Sequence, residues 1–187
     1  MNLPGSLELA ANAVTALSIL LAARNHLATW PLGILGCLLF GWQFWQAQLY
    51  ADATLQLFFI ATSAWGWWHW QGGRQPARAV SHASGRAVLA GVLLAVAVCV
   101  GYGGLLQALT DAWMPFVDAA VLGLSVVAQW LLMQRKLATW GFWLAVNTLS
   151  VPLFASRGLT LTAVLYAAFW VNALYGYWHW RRQLPPA

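Results

Sequence analysis

Trp140, Trp143 and Asn147 are spaced i, i+3 and i+7, so on a helix of about 3.6 residues per turn they line one face. Two indoles and an amide on one stripe can stack on a flat ring and hydrogen-bond its substituents. They can also hold a ring cation by cation–π attraction, worth about 0.5 to 2 kcal/mol. Gln56, Tyr166 and Asn172 could add polar contacts. Asn147 and Asn172 fall in the middle of apolar runs, where an amide turned toward lipid would be costly, so each is expected to face a partner or a cavity. Interhelical hydrogen bonding, worth about 1 kcal/mol, is the competing role for all three amides. The sequence has no Ser-His-Asp set, HExxH, P-loop or CxxC motif. Nothing therefore supplies a nucleophile, a metal site or a phosphate cradle, and neither enzymatic activity nor a cofactor or metal is expected. Cys37 and Cys99 sit in apolar runs and are expected to pack there, and His69 and His179 are expected to hydrogen-bond at an interface.

The elements that position these residues follow from composition. Of 187 residues 61% are hydrophobic and 7% charged, against about 25% charged in a soluble domain. A bilayer span takes about 20 apolar helical residues, and hydropathy predicts seven helices at 8–24, 29–46, 51–70, 87–109, 114–134, 138–155 and 159–180. Strands would leave backbone groups unpaired in hydrocarbon, so the expected fold is an all-α integral membrane protein. The net charge of +5 comes from nine Lys and Arg residues scattered along the chain, which form no stripe for nucleic acid.

The charges orient the spans. Arg24, then Arg74, Arg78 and Arg86, then Arg135 and Lys136, then Arg181 and Arg182 follow the odd-numbered helices, leaving Arg157 alone on the other side. Glu8, Asp52, Asp111 and Asp118 fall near the opposite ends. The positive-inside rule then places the N-terminus outside and the C-terminus in the cytoplasm of a multi-pass plasma-membrane protein. The opening MNLPGSLELA has no basic n-region, so the first helix is expected to remain in the mature protein. Trp30, Trp68, Trp70, Trp113, Trp178 and Trp180 lie at predicted helix ends, where an interfacial aromatic belt is expected. Pro31 and Pro152 could kink or hinge the second and sixth helices. Residues 71–86, rich in Gly, Pro, Ser and Arg, read as a flexible connector.

The halves on either side of that connector are copies. Leu27-Ala28-Thr29-Trp30 recurs as Leu137-Ala138-Thr139-Trp140, and Gly66 with Trp68-His69-Trp70 recurs as Gly176 with Trp178-His179-Trp180, all at an offset of 110 residues. Leu49 with Leu159, Leu55 with Leu165, Phe59 with Phe169 and Glu8 with Asp118 keep that register. A duplicated three-helix unit explains it. The expected organisation is residues 1–70 as one repeat, 71–113 as loop and linker helix four, and 114–187 as the second repeat with a short basic tail. Four crossings separate equivalent helices, so the repeats should be parallel, in a 3+1+3 arrangement with a midplane site between them. Function is then sought where the copies differ: Trp143 against Gly33, Asn147 against Cys37, Gln56 against Tyr166, and Asn172 against Thr62. With no Asp or Glu at predicted mid-membrane depth, uncoupled facilitated diffusion is the simpler expectation.

The run Trp30-Pro31-Leu32-Gly33-Ile34 through Phe44 and Ala47 to Tyr50-Ala51-Asp52-Ala53, then Leu55-Gln56-Leu57-Phe58 and Gly66-Trp67-Trp68-His69-Trp70, resembles the PnuC family of nicotinamide riboside and related vitamin transporters. Trp140-Gly141-Phe142-Trp143-Leu144-Ala145-Val146-Asn147 matches that family's WxxWxxxN/D pattern, and Leu165-Tyr166 with Gly176-Tyr177-Trp178-His179-Trp180 looks like its closing helix. The resemblance spans nearly the whole chain. It implies a seven-helix carrier, often a homotrimer, for an unphosphorylated vitamin precursor that a cytosolic kinase then traps. It also implies that Trp140, Trp143 and Asn147 bind substrate, with Gln56, Tyr166 and Asn172 as further contacts. Nicotinamide riboside, thiamine and riboflavin all fit such a site, and the resemblance favours nicotinamide riboside carried by facilitated diffusion. Two other readings are a vitamin-binding membrane subunit that needs an energising partner and a purely structural Trp-rich assembly protein.

Overall fold

The computed structural model describes residues 6–46, 50–71, 79–109, 114–156 and 160–185, with side chains at 9–42, 56–71, 79–109, 114–153, 155–156 and 163–185. Arg74, Arg78, Asp111, Trp113 and Arg157, and the side chains of Glu8 and Asp52, lie outside the described residues. Among the described residues seven helices follow in order: α1 Ser6–Ala23, α2 Thr29–Gln46, α3 Tyr50–Trp70, α4 Gly85–Leu109, α5 Pro115–Met133, α6 Thr139–Ser156 and α7 Thr160–Arg181. Among the described residues there is no strand, only an isolated bridge between Ser81 and Lys136.

The chain forms two compact units that divide after Arg78. In the first, α2 packs against both α1 and α3. In the second, α4 packs on α5, α5 on α6, and α6 on α7. Small residues make the α4–α5 approach possible. A Cβ on Gly91 would lie 2.7 Å from Val127, one on Gly103 2.6 Å from Phe116, and one on Gly123 3.0 Å from the backbone of Ala95. The other side of α4 is apolar yet open, with Leu89, Leu93, Val96 and Val100 all exposed. Water would not tolerate such a face as a surface, whereas hydrocarbon would. By length and composition α4 and α5 suffice to cross a membrane.

The same local structure is built twice. The chain leaves α1 with Asn25 at φ 56° and α5 with Arg135 at φ 52°, a left-handed conformation that asparagine tolerates better than arginine. Each residue stands in a Schellman turn. His26 N–H donates to Leu21 O at 2.9 Å and Asn25 N–H to Ala22 O at 2.9 Å, while Lys136 N–H donates to Leu131 O at 3.0 Å and Arg135 N–H to Leu132 O at 2.9 Å. Two residues into each following helix an indole is locked in place. Trp30 meets Trp70 edge-on, with ring centroids 5.1 Å apart, and Trp140 meets Trp180 at 5.3 Å. Both central indoles lie against a glycine, Gly66 or Gly176, where any Cβ would collide with the ring. Thr29 Oγ1 donates to Ser18 O at 2.8 Å, and Thr139 Oγ1 to Ala128 O at 2.7 Å.

These contacts correct three expectations. Trp30, Trp70 and Trp180 are buried, so they rivet helices together and do not form an interfacial belt; Trp68 and Trp178 are exposed, as a belt requires. Pro31 falls in the first turn of α2, where a missing N–H costs no helix bond, so only Pro152 stands in a helix interior. The connector is not flexible throughout. Ser81 N–H donates to Arg135 O at 3.1 Å and Leu137 N–H to Ser81 O at 3.0 Å, and Lys136 Nζ reaches Ser81 Oγ at 3.0 Å. Val80 is buried beside this strap, and Ser84 Oγ accepts the Ala87 N–H to cap α4. Arg135 is buried beneath the strap, and desolvation lowers its pKa.

Candidate functional site

Five of the six residues singled out by type and spacing belong to the second unit, on α6 and α7. Trp140, at the start of α6, is 2% exposed. It faces α7 through Gly176 and Trp180, as its counterpart Trp30 faces α3 through Gly66 and Trp70. Its part in the geometry is to fix α6 against α7.

Trp143, one turn on, is half-buried and packs against the cluster of Val127, Ala128, Leu131 and Phe142. The first unit has Gly33 at this position, so an indole stands where the other repeat has no side chain. Asn147 follows on the same side of α6 and is 4% exposed. Both side chains turn inward, as the cost of an amide in hydrocarbon demands. Neither residue has an equivalent in the first unit, where Gly33 and Cys37 stand.

On α7, Asn172 is buried and Tyr166 is half-buried, with its ring 5.7 Å from that of Phe169. The two are six residues apart, which separates them by about 120° around the helix, so they do not share a stripe. Gln56 belongs to the first unit, where it packs across from Gly41: a Cβ there would lie 3.5 Å from the Gln56 Cβ.

Spacing alone left out two features. Trp170 Nε1 donates to Thr148 Oγ1 at 3.0 Å, and Thr148 Oγ1 donates to Leu144 O at 2.7 Å, a polar clasp between α7 and α6 whose first-unit counterparts are Ile60 and Leu38. Ser150 is wholly buried three residues beyond Asn147. Its signal in the sequence was a hydroxyl opposite Phe40 of the other repeat. Among the described residues no cluster of His, Cys, Asp or Glu could hold a metal ion. The chemistry left to the site is aromatic stacking and neutral hydrogen bonding.

Known proteins resemble this chain in sequence and in fold. The nicotinamide mononucleotide transporter family model matches residues 5–182. The nicotinamide riboside transporter PnuC of Escherichia coli K12 is 30% identical over 194 residues, covering 88% of this chain and 80% of its own. The riboflavin/roseoflavin transporter RibM of Streptomyces davaonensis is 26% identical over 183 residues, covering 92% of this chain and 83% of its own. A crystal structure of the vitamin B3 transporter PnuC superposes with a TM-score of 0.73 at 21% identity, covering 93% of this chain and 80% of that one. That likeness establishes a common fold. With the family model matched almost from end to end, and with the WxxWxxxN/D residues borne on α6, the chain belongs to the nicotinamide mononucleotide transporter family, a family of membrane transporters and not of enzymes.

Proposed function

We propose that the protein carries nicotinamide riboside across the bacterial inner membrane by facilitated diffusion, with intracellular phosphorylation trapping the product. The observation that carries this reading is the break in the repeat on α6, where Trp143 and Asn147 replace Gly33 and Cys37 on an otherwise duplicated scaffold. Nicotinamide riboside is a planar pyridinium cation bearing a carboxamide and a ribose. An indole face attracts the ring, and an amide can bond its substituents. None of the six proposed contacts (Trp140, Trp143, Asn147, Gln56, Tyr166 and Asn172) is charged. A phosphate would lack a counter-charge there, which favours the riboside over the mononucleotide.

In this reading the two three-helix repeats are parallel and α4 is the linker that allows it, a 3+1+3 arrangement. Arg24, Arg86, Arg135, Lys136, Arg181 and Arg182 mark the cytoplasmic side, which sets the N-terminus outside and the C-terminus inside. The chain works in the bilayer as a homotrimer. Uncoupled transport follows from the lack of an acidic residue at mid-span.

The test is uptake of labelled nicotinamide riboside into liposomes holding the purified protein. Equilibration with no proton or sodium gradient is expected. Uptake that vanishes when only the ion gradient is removed would reject the uncoupled mechanism. A second reading, riboflavin transport, is supported by the similarity to RibM. Competition by unlabelled riboflavin in the same liposomes separates the two substrates.

A further inference from the structure

One hydroxyl of the second unit has no assigned role. Ser150 on α6 is 0% exposed, and its Oγ finds no hydrogen-bond partner among the described residues. Protein interiors seldom leave such a group so, and a hydroxyl unpartnered among the described residues can take a partner from outside the chain. The indole N–H groups of Trp30 and Trp140 are also buried without a partner among the described residues. Those two occupy equivalent positions in the two repeats, so they belong to the scaffold. Ser150 has Phe40 as its counterpart and is not inherited from the scaffold.

Its position on the helix gives the orphaned hydroxyl a purpose. Seven residues after Trp143, Ser150 returns to within about 20° of the same helical direction, about 10 Å further along the axis. Asn147 lies between them, itself almost buried. An indole, an amide and a hydroxyl thus ascend α6 over a length comparable to the long dimension of a nucleoside, and none of the three is repeated in the first unit.

We propose that Ser150 is a further specificity-determining residue. Its hydroxyl hydrogen-bonds a sugar hydroxyl of the ligand whose ring stacks on Trp143, so that the site selects rings carrying a polyhydroxylated substituent. This rests on the vitamin-carrier reading of the same face. The test is calorimetric titration of the wild-type protein and Ser150→Ala with nicotinamide riboside and with an analogue lacking one ribose hydroxyl. Ser150→Ala is expected to weaken riboside binding about tenfold, a change of about 1.4 kcal/mol. Its thermal midpoint without ligand should be unchanged or raised, because an unpartnered hydroxyl has been removed. The matching deoxy analogue should lose affinity for the wild type but not for the variant. Should Ser150→Ala fail to fold, Ser150→Cys carries the same comparison, since the weaker thiol donor should also cost affinity.

Equal riboside affinity in wild type and variant would overturn this role and leave the carrier reading standing. A lowered thermal midpoint with unchanged affinity would do the same and make the hydroxyl a helix support. A wild-type protein that binds no riboside would overturn the carrier reading, and this role with it.

Discussion

Each unit closes around its own copy of the same rivet, and the two differ along the seam beside it. In the first unit α1 and α2 approach through small residues: a Cβ on Gly33 would lie 3.2 Å from Ser18 Oγ, and one on Gly36 2.5 Å from Thr15 Oγ1. In the second unit the equivalent positions are Trp143 and Val146, and the indole packs against the cluster of Val127, Ala128, Leu131 and Phe142. One seam is lined by small residues and the other by an indole. The duplicated contacts, which are the Schellman turns, the indole over glycine and the threonine to the preceding helix, are what each unit needs to stand. The proposed ligand contacts Trp143 and Asn147 fall among the unduplicated ones.

The comparison can be broken most severely at the rivet. Replacing Gly176 by Val puts a branched side chain where a Cβ already lies 2.7 Å from the Trp140 ring. Overpacking of this kind is expected to cost about 3 kcal/mol, read as a lower thermal midpoint in detergent. Gly141→Ala is the control, because a Cβ there has nothing within 4 Å, and it should leave the midpoint in place. Next in size, Trp143→Ala should weaken riboside binding about thirtyfold, the loss of roughly 2 kcal/mol of desolvated cation–π attraction, measured by calorimetric titration. Gly33→Ala sharpens the contrast from the other side. Ser18 must move by a few tenths of an ångström, and a loss of about 1 kcal/mol in stability with riboside affinity retained is expected. Smallest of all, Thr29→Val and Thr139→Val should each cost about 1 kcal/mol or less, with Thr29→Val the larger, since Thr29 Oγ1 also meets Ser18 Oγ at 3.4 Å whereas the residue facing Thr139 is Ala128. Equal costs would show that the Ser18 hydroxyl adds nothing to that contact.

Much of this was legible from residue types alone. Apolar runs broken by turn residues located all seven helices, because in hydrocarbon the backbone leaves no alternative. The offset of 110 residues announced the duplication. Direction was harder. Trp30, Trp70 and Trp180 sit at helix ends like belt residues, and hydropathy does not tell an indole facing headgroups from one buried under a neighbouring glycine. Gly66 and Gly176 hold that information, since they recur in register with the tryptophans they receive. The strap at Ser81 was hidden because its bonds are backbone to backbone, which composition does not register. Ser150 was overlooked because a lone serine in an apolar helix is unremarkable until its burial is seen.

The most direct measurement makes the second unit resemble the first. A Trp143→Gly, Asn147→Cys double variant replaces two of the unduplicated residues by their counterparts and leaves every rivet intact. If those residues hold the vitamin, titration with nicotinamide riboside should show affinity reduced about a hundredfold, or about 2.7 kcal/mol, in a protein with wild-type helix content. Affinity within about twofold of wild type, a difference of less than roughly 0.5 kcal/mol, would contradict the assignment of the site to this face of α6.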